Sequence, residues 1–238
     1  MRFRWATRSD TGRVRTHNED AVWPAPGSGE FDDTFLVAVA DGMGGHVGGE
    51  IASGTAIDTA TGVGGRAAIR VQAANLAVLD EATRRPRLAG MGTTLTLAII
   101  EPDGSVELGH VGDSRAYRYR DGQLEMITTD HSYVSEMIAS GKLSPEDAEN
   151  HPYRSVVTRA IGLEPVVDVD ITEVEMEGGD RILLCSDGLT AMLDDTAIAE
   201  ILADHDDPGS AAEVLVEVAN ERGGDDNITV VVVDAVSE

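Results

Sequence analysis

The feature that most constrains this 238-residue chain is an apolar run that stops on a carboxylate, Phe35-Leu-Val-Ala-Val-Ala-Asp41-Gly42. The same arrangement returns at Arg181-Ile-Leu-Leu-Cys-Ser-Asp187-Gly188. A buried strand fixes where its final side chain points. A glycine just after it lets backbone oxygen or a phosphate come close. One Asp-Gly pair reads equally well as a common turn. Two strands that end alike predict a single site between them.

Composition narrows the field. The 43 acidic and 18 basic residues leave a net charge of -25, which repels nucleic acid and anionic lipid and sets both aside as partners. Hydrophobic content of 42% suits a soluble globular chain, and no apolar stretch is long enough to span a bilayer. The opening Met-Arg-Phe-Arg-Trp-Ala-Thr-Arg lacks the apolar centre of a signal peptide. The single cysteine, Cys185, lies in a predicted buried strand, cannot pair internally and agrees with a cytoplasmic setting. Arg2, Arg4, Arg8, Arg13 and Arg15 crowd the start. They read as a phosphate-holding patch or as an ordinary charged strand face.

In chain order the pattern predicts strands over 2–9 and 35–41, with an exposed loop over 24–33. A close-packed helix over 48–61 follows, then a second over 66–84 that turns Ile69, Ala73, Leu76 and Ala77 inward. Residues 92–128 read as one antiparallel meander, because the connections are too short for crossover helices. Residues 131–165 carry little core-forming surface and look like an insertion over the domain, with helices capped by Ser132 and Ser144. The last third predicts strands near 167–177 and 180–186. A helix capped by Asp194 or Asp195 comes next, then a helix near 211–222 with Ser210 and Glu213 as its capping box. A central closing strand, 228–236, ends the chain. The fold class is α+β, in one domain spanning 1–238, with antiparallel sheets.

Aspartates gather at the strand ends: Asp20, Asp41, Asp113, Asp187 and Asp226. Oxygen donors with no second cysteine and no paired histidine favour Mg²⁺ or Mn²⁺ over zinc. Converging carboxylates repel one another unless cations sit among them. Two ions roughly 3.5–4 Å apart can hold a bridging water and clamp a phosphoryl group for in-line attack. An arginine such as Arg15 suits a phosphate. This chemistry is metal-assisted hydrolysis of a phosphate ester.

Six motifs occur in order: Arg15-x-x-Asn18-Glu19-Asp20, Asp41-Gly42-Met-Gly-Gly-His46, Met91-Gly-Thr-Thr94, Gly112-Asp113-Ser114-Arg115, Cys185-Ser-Asp187-Gly188-Leu and Asp225-Asp226-Asn227-Ile-Thr. Together they resemble the metal-dependent serine/threonine protein phosphatases of the PPM, or type-2C, family in their compact bacterial form. The resemblance implies a four-layer α-β-β-α sandwich of two antiparallel sheets flanked by helices, with a binuclear Mn²⁺/Mg²⁺ site at one end. It implies that Asp41 bridges both ions, that Gly42 ligates one through its carbonyl, and that Asp187 and Asp226 complete the pair. Asp20 would ligate an ion or orient a metal-bound water, and Asp113 would hold a third, weaker ion. Arg15 would hold the substrate phosphate, and 131–165 would be a flap beside the site.

Some roles stay open. Asp20 also reads as a loop cap, and Asp225 as a solvent-facing turn acid. His46 is a candidate general acid for the leaving alkoxide. The family's proposed acid histidine, where present, lies at the place of Met43, so His46 reads equally as a hydrogen-bonding residue of the glycine loop. His17, His110 and His131 read as structural or surface residues, and Ser114 as a turn former. Expected partners are phosphorylated proteins, among them serine/threonine kinases and their substrates, met by a monomeric enzyme in the cytoplasm or in the cytoplasmic part of a membrane-anchored protein. A phosphatase dedicated to one regulatory phosphoprotein, or a catalytically dead phosphoprotein binder, would be the alternatives. Retention of Arg15 and of the Asp-Asp-Asn motif ranks the first lower, and the second would be marked by loss of a metal acid, of which none of the expected four is missing.

Overall fold

The computed structural model describes residues 1–44, 47–149 and 151–236. One sheet is built from β1 (Arg2–Asp10), β3 (Gly27–Phe31), β8 (Arg115–Arg120), β9 (Gln123–Met126), β11 (Arg181–Cys185) and β12 (Ile228–Val236). Its order is β3-β1-β12-β11-β8-β9, which puts the closing strand in the middle as its apolar sequence requires. The second sheet holds β2 (Asp20–Trp23), β4 (Phe35–Met43), β6 (Leu95–Ile100), β7 (Ser105–Val111) and β10 (Asp170–Glu175). Its order is β10-β7-β6-β4-β2, and the short β5 (Gly92–Thr93) pairs with the end of β4. Every pairing is antiparallel.

Alternation along the strands sorts side chains into three apolar layers. Val37 and Val39 of β4, Ile182 and Leu184 of β11, and Val231 and Val233 of β12 meet between the sheets. Their neighbours Ala38 and Ala40 face α1 (Val47–Gly62) and α2 (Ala67–Arg84) instead. Leu183, Cys185, Val230 and Val232 face α6 (Asp195–Asp204) and α7 (Pro208–Glu221). Helix, sheet, sheet, helix is therefore the order of layers. Among the described residues there are also three short α-helices, α3 (Tyr133–Ala139), α4 (Pro145–Glu149) and α5 (Asp187–Thr190), and a 3-10 turn at Pro86–Leu88.

Several expectations need correction. The chain does not run as one meander through 92–128. β7 and β8 lie in different sheets, so Gly112-Asp113-Ser114 carries the chain across the sandwich. Residues 27–31, expected in a loop, form an edge strand on β1, where Phe31 stacks on Phe3 at 4.8 Å between ring centres. On α2 the inward stripe is Ala67, Val71, Ala74 and Val78, and Ile69 and Leu76 are half exposed. Small side chains win that face because the helix packs tightly on α1 and β7; a side chain on Gly109 of β7 would begin 3.0 Å from Ala67 and 3.1 Å from Val71. The last helix begins earlier than Ser210, with Pro208 in its first turn and the Asp207 carboxylate accepting from the Ser210 amide. Ser132, Ser144 and Asp194 do cap their helices.

At the rim of the first sheet, Arg181 and Asp234 form a buried two-pronged ion pair at 2.6 and 2.9 Å, and Arg181 also donates to the carbonyls of Leu202 and His205. Removing one partner strands a charge out of water. Asp234→Ala should lower unfolding stability in urea by about 3 kcal/mol. A loss under about 1 kcal/mol would show that solvent reaches Arg181 freely.

Candidate metal centre

The strand-end aspartates converge at one end of the sandwich. β2 pairs with β4 so that Asp20 stands directly opposite Asp41. Asp187 follows β11 and opens α5, Asp226 lies just before β12, and Asp113 sits on the crossing between the sheets. Asp41, Gly42, Asp113, Asp187 and Asp226 line one cleft of about 410 Å³ together with Arg15, Glu19 and Thr94. Asp20 lies beneath it, facing Asp41 across the ladder.

Hydroxyl and amide groups hold these acids in place. The Ser186 hydroxyl donates to Asp20 Oδ2 at 2.8 Å and accepts the Thr229 amide at 3.0 Å. Thr229 Oγ1 meets Ser9 Oγ at 2.8 Å, Asn18 donates to that Ser9 hydroxyl, and Asn18 Oδ1 accepts the Asp20 amide. A closed ring of bonds therefore pins Asp20 by one oxygen and by its backbone. Thr94 plays a similar part for Asp41: its hydroxyl accepts the Asp41 amide at 2.8 Å, and its own amide donates to the Asp41 carbonyl. The Ser114 hydroxyl, fully buried, pairs with Thr94 Oγ1 at 2.8 Å.

The two Asp-Gly pairs are places of close backbone approach. A side chain on Gly42 would begin 2.1 Å from the Gly49 carbonyl oxygen, and one on Gly188 would begin 2.0 Å from that of Asn227. Neither position tolerates more than hydrogen.

What remains is unsatisfied acid. Asp20 Oδ1 and Asp187 Oδ1 are buried without a hydrogen-bond partner. Burial, followed by the charges of Asp187 and Asp226, outweighs the hydroxyl bonds from Thr229 and Ser186 and pushes Asp20 up to about 7. Burial, then Asp187 and Asp130, does the same for Asp113, also to about 7. Asp41 is raised by burial and by Asp20, Asp187 and Asp113, and Asp187 by burial and Asp226. Orphaned carboxylate oxygens and mutual repulsion suit hard divalent cations. Among the described residues, no three His, Cys, Asp or Glu side chains are gathered closely enough to hold an ion by themselves. The donor set is instead carboxylates, backbone carbonyl and open cleft, which matches cations that keep several waters.

Arg15 stands at the mouth. Its Nη2 lies 2.6 Å from Asp226 Oδ2, and its side chain is 52% exposed, so one face of the guanidinium can meet a ligand. The loop that carries it is fastened by Asn227, whose side chain accepts the Glu19 amide and donates to the carbonyls of Thr11 and His17. Asp225 is exposed, as expected of a turn acid. His110 and His131 are buried and hydrogen-bonded, to Thr96 and to the Gly112 amide respectively. His46 lies outside the described residues. Sequence reasoning missed the supporting hydroxyls of Ser186, Thr229 and Ser9. The available signal was a serine beside two of the strand-end acids, Ser114 after Asp113 and Ser186 before Asp187.

The shifts fix a sign. A carboxylate raised from about 4 in the unfolded chain to about 7 in the fold contributes stability that is whole below about pH 4 and is lost as pH climbs toward 7. A divalent cation reverses this by taking the place of the protons. Mn²⁺ should therefore raise Tm more near pH 7.5 than near pH 5 in calorimetry. An equal shift at both would contradict binding at these carboxylates.

The protein phosphatase 2C family profile matches residues 13–220. The chain is 42% identical over 244 residues to the serine/threonine protein phosphatase PstP of Mycobacterium tuberculosis, covering 98% of this chain but 45% of that protein, so it spans less than half the length of that relative. It is 40% identical over 243 residues to the serine/threonine phosphatase Stp of Listeria monocytogenes, with 95% and 94% covered. A crystal structure of the catalytic domain of a serine/threonine protein phosphatase PstP with two manganese ions superposes with a TM-score of 0.87, at 37% identity and with both chains fully covered.

Proposed function

The chain belongs to the protein phosphatase 2C family, and on that premise we propose that it is a metal-dependent protein serine/threonine phosphatase that hydrolyses phosphoserine and phosphothreonine in proteins, opposing serine/threonine kinases. One observation carries this reading. Asp20, opposite Asp41 across the ladder, and Asp187, in the lining of the cleft whose mouth holds Arg15, each keep a buried carboxylate oxygen without a partner.

Asp41 and the Gly42 carbonyl would hold ions from the end of β4, with Asp187 and Asp226 opposite them and Asp20 steadied from below by Ser186 and Thr229. Asp113, on its own crossing, suits a third and weaker ion. Bound there, Mn²⁺ or Mg²⁺ would polarise the phosphoryl oxygens and make water a nucleophile at neutral pH. Arg15 would orient the phosphate, its fork kept in register by Asp226 on one edge and free on the other. No side chain needs to be a nucleophile: the buried Ser114 hydroxyl is bonded to Thr94 and faces no base. Residues 131–165 would act as the flap, with Ser155 and Val157 forming a wall of the cleft.

The test is hydrolysis of p-nitrophenyl phosphate and of a phosphothreonine peptide with Mn²⁺, Mg²⁺ or EDTA. Turnover of both with metal and none in EDTA is expected. A folded sample inactive with either metal would favour a phosphoprotein-binding role. Asp187→Asn should keep the fold and lose most turnover; unchanged turnover at saturating Mn²⁺ would remove Asp187 from the site. Arg15→Ala should raise KM for the peptide by roughly 10-fold or more, since a bond to a charged group is worth about 1.5–3 kcal/mol. An unchanged KM would take Arg15 off the phosphate.

A further inference from the structure

The rim of the cleft carries a feature that the phosphate chemistry does not use. Arg13 and Val14 immediately precede the cleft-lining Arg15, and Tyr153, Arg154 and Val156 surround the cleft-lining Ser155. All five are exposed. Val14 is 63% exposed, Tyr153 56% and Val156 44%, so each segment sets a guanidinium beside apolar surface.

The state of the two arginines sets them apart. Nearly every other arginine of this acidic chain is tied down: Arg15 to Asp226, Arg66 to Glu107 and Glu173, Arg115 to Asp130, Arg159 to Asp170, Arg181 to Asp234. Among the described residues, the side chains of Arg13 and Arg154 make no hydrogen bond and no ion pair. Arg87 and Lys142 share that condition but do not adjoin a residue of the cleft wall. On a surface of net charge -25, two cations are left unmatched, each one or two residues from a residue of the cleft lining.

Both arginines project from a fastened backbone. The Arg13 amide donates to the Gly224 carbonyl at 2.8 Å, and the Arg154 amide to that of His151 at 3.0 Å. Tyr153 rests edge-on against Tyr133 at 5.6 Å between ring centres, with His151 at 5.7 Å. The backbone at both positions is already ordered, so binding a chain there has only the side chains to fix.

We propose that Arg13 and Arg154 select the peptide around the phosphorylated residue, favouring segments that carry acidic side chains on both sides of it, with apolar neighbours resting on Val14 and Tyr153. This deepens the phosphatase reading and rests on it for the placing of the phosphate at Arg15. At physiological salt the screening length is about 8 Å, so the distant surface acids fade and the rim cations decide.

The experiment is fluorescence anisotropy, in Mn²⁺ and about 0.15 M salt, with peptides bearing a non-hydrolysable phosphonate in place of phosphothreonine. One peptide has glutamates flanking it on both sides, and its partner has glutamines. The glutamate peptide should bind about fivefold tighter, the sum of two exposed ion pairs. The gap should close in the Arg13→Gln/Arg154→Gln protein and persist in Arg13→Lys/Arg154→Lys, which keeps the charge. Equal affinity for the two peptides, or a gap that survives the glutamine substitutions, would overturn the proposal. Wild-type hydrolysis of p-nitrophenyl phosphate is measured alongside. Its absence with the affinity gap intact would sink the phosphatase reading while leaving peptide selection by the rim in place.

Discussion

Two carboxylates facing each other across an antiparallel ladder, Asp20 on β2 and Asp41 on β4, are the constraint around which this end of the protein is arranged. Residues opposite in such a ladder have Cβ atoms about 4.5–5.5 Å apart, and like charges there are destabilising. Asp187 enters the same space from the other sheet, and burial raises all three. A chain that keeps such a cluster bears a standing electrostatic cost. Hard cations would relieve it, and the fold supplies the fixed walls that such a cluster needs.

Those walls come from ordinary elements. Three apolar layers set the two sheets face to face, so strand ends of both sheets meet at one edge. Glycine at 42 and 188 lets the backbones close in until carbonyl oxygens border the acids. The hydroxyls of Ser186, Thr229, Ser9, Thr94 and Ser114, all buried but that of Ser9, then brace the acids: Ser186 bonds the Asp20 carboxylate, Thr94 the Asp41 backbone, and the others hold these two in turn. The result is preorganisation: the orphaned oxygens of Asp20 and Asp187 are held where they are, partnerless within the protein.

Much of this could be read before any coordinates. The run 35–41 ending at Asp-Gly and its repeat at 181–188 have few other uses, and β12 had to be central because both its faces are apolar. Other parts were illegible for definite reasons. The inward face of α2 is chosen by how closely it packs on α1 and β7, so alanines displaced the larger Ile69 and Leu76 that periodicity alone would bury. Strand β3 contains two glycines and no alternating apolar pattern. It exists because β1 offers it an edge. The crossing at Asp113 is a three-residue connection that looks like any tight turn. Only sheet membership reveals that it carries an acid from one sheet to the other. The hydroxyl ring around Asp20 joins residues 9, 18, 186 and 229, and no local pattern could have joined them.

The central claim is that the strand-end carboxylates are a divalent-cation site. Diffraction from crystals grown with Mn²⁺, recorded at the manganese absorption edge, tests it most directly. Two anomalous peaks bounded by Asp20, Asp41, Asp187, Asp226 and the Gly42 carbonyl are the predicted result. Well-ordered crystals with no anomalous density between these residues, or with manganese only elsewhere on the acidic surface, would contradict it.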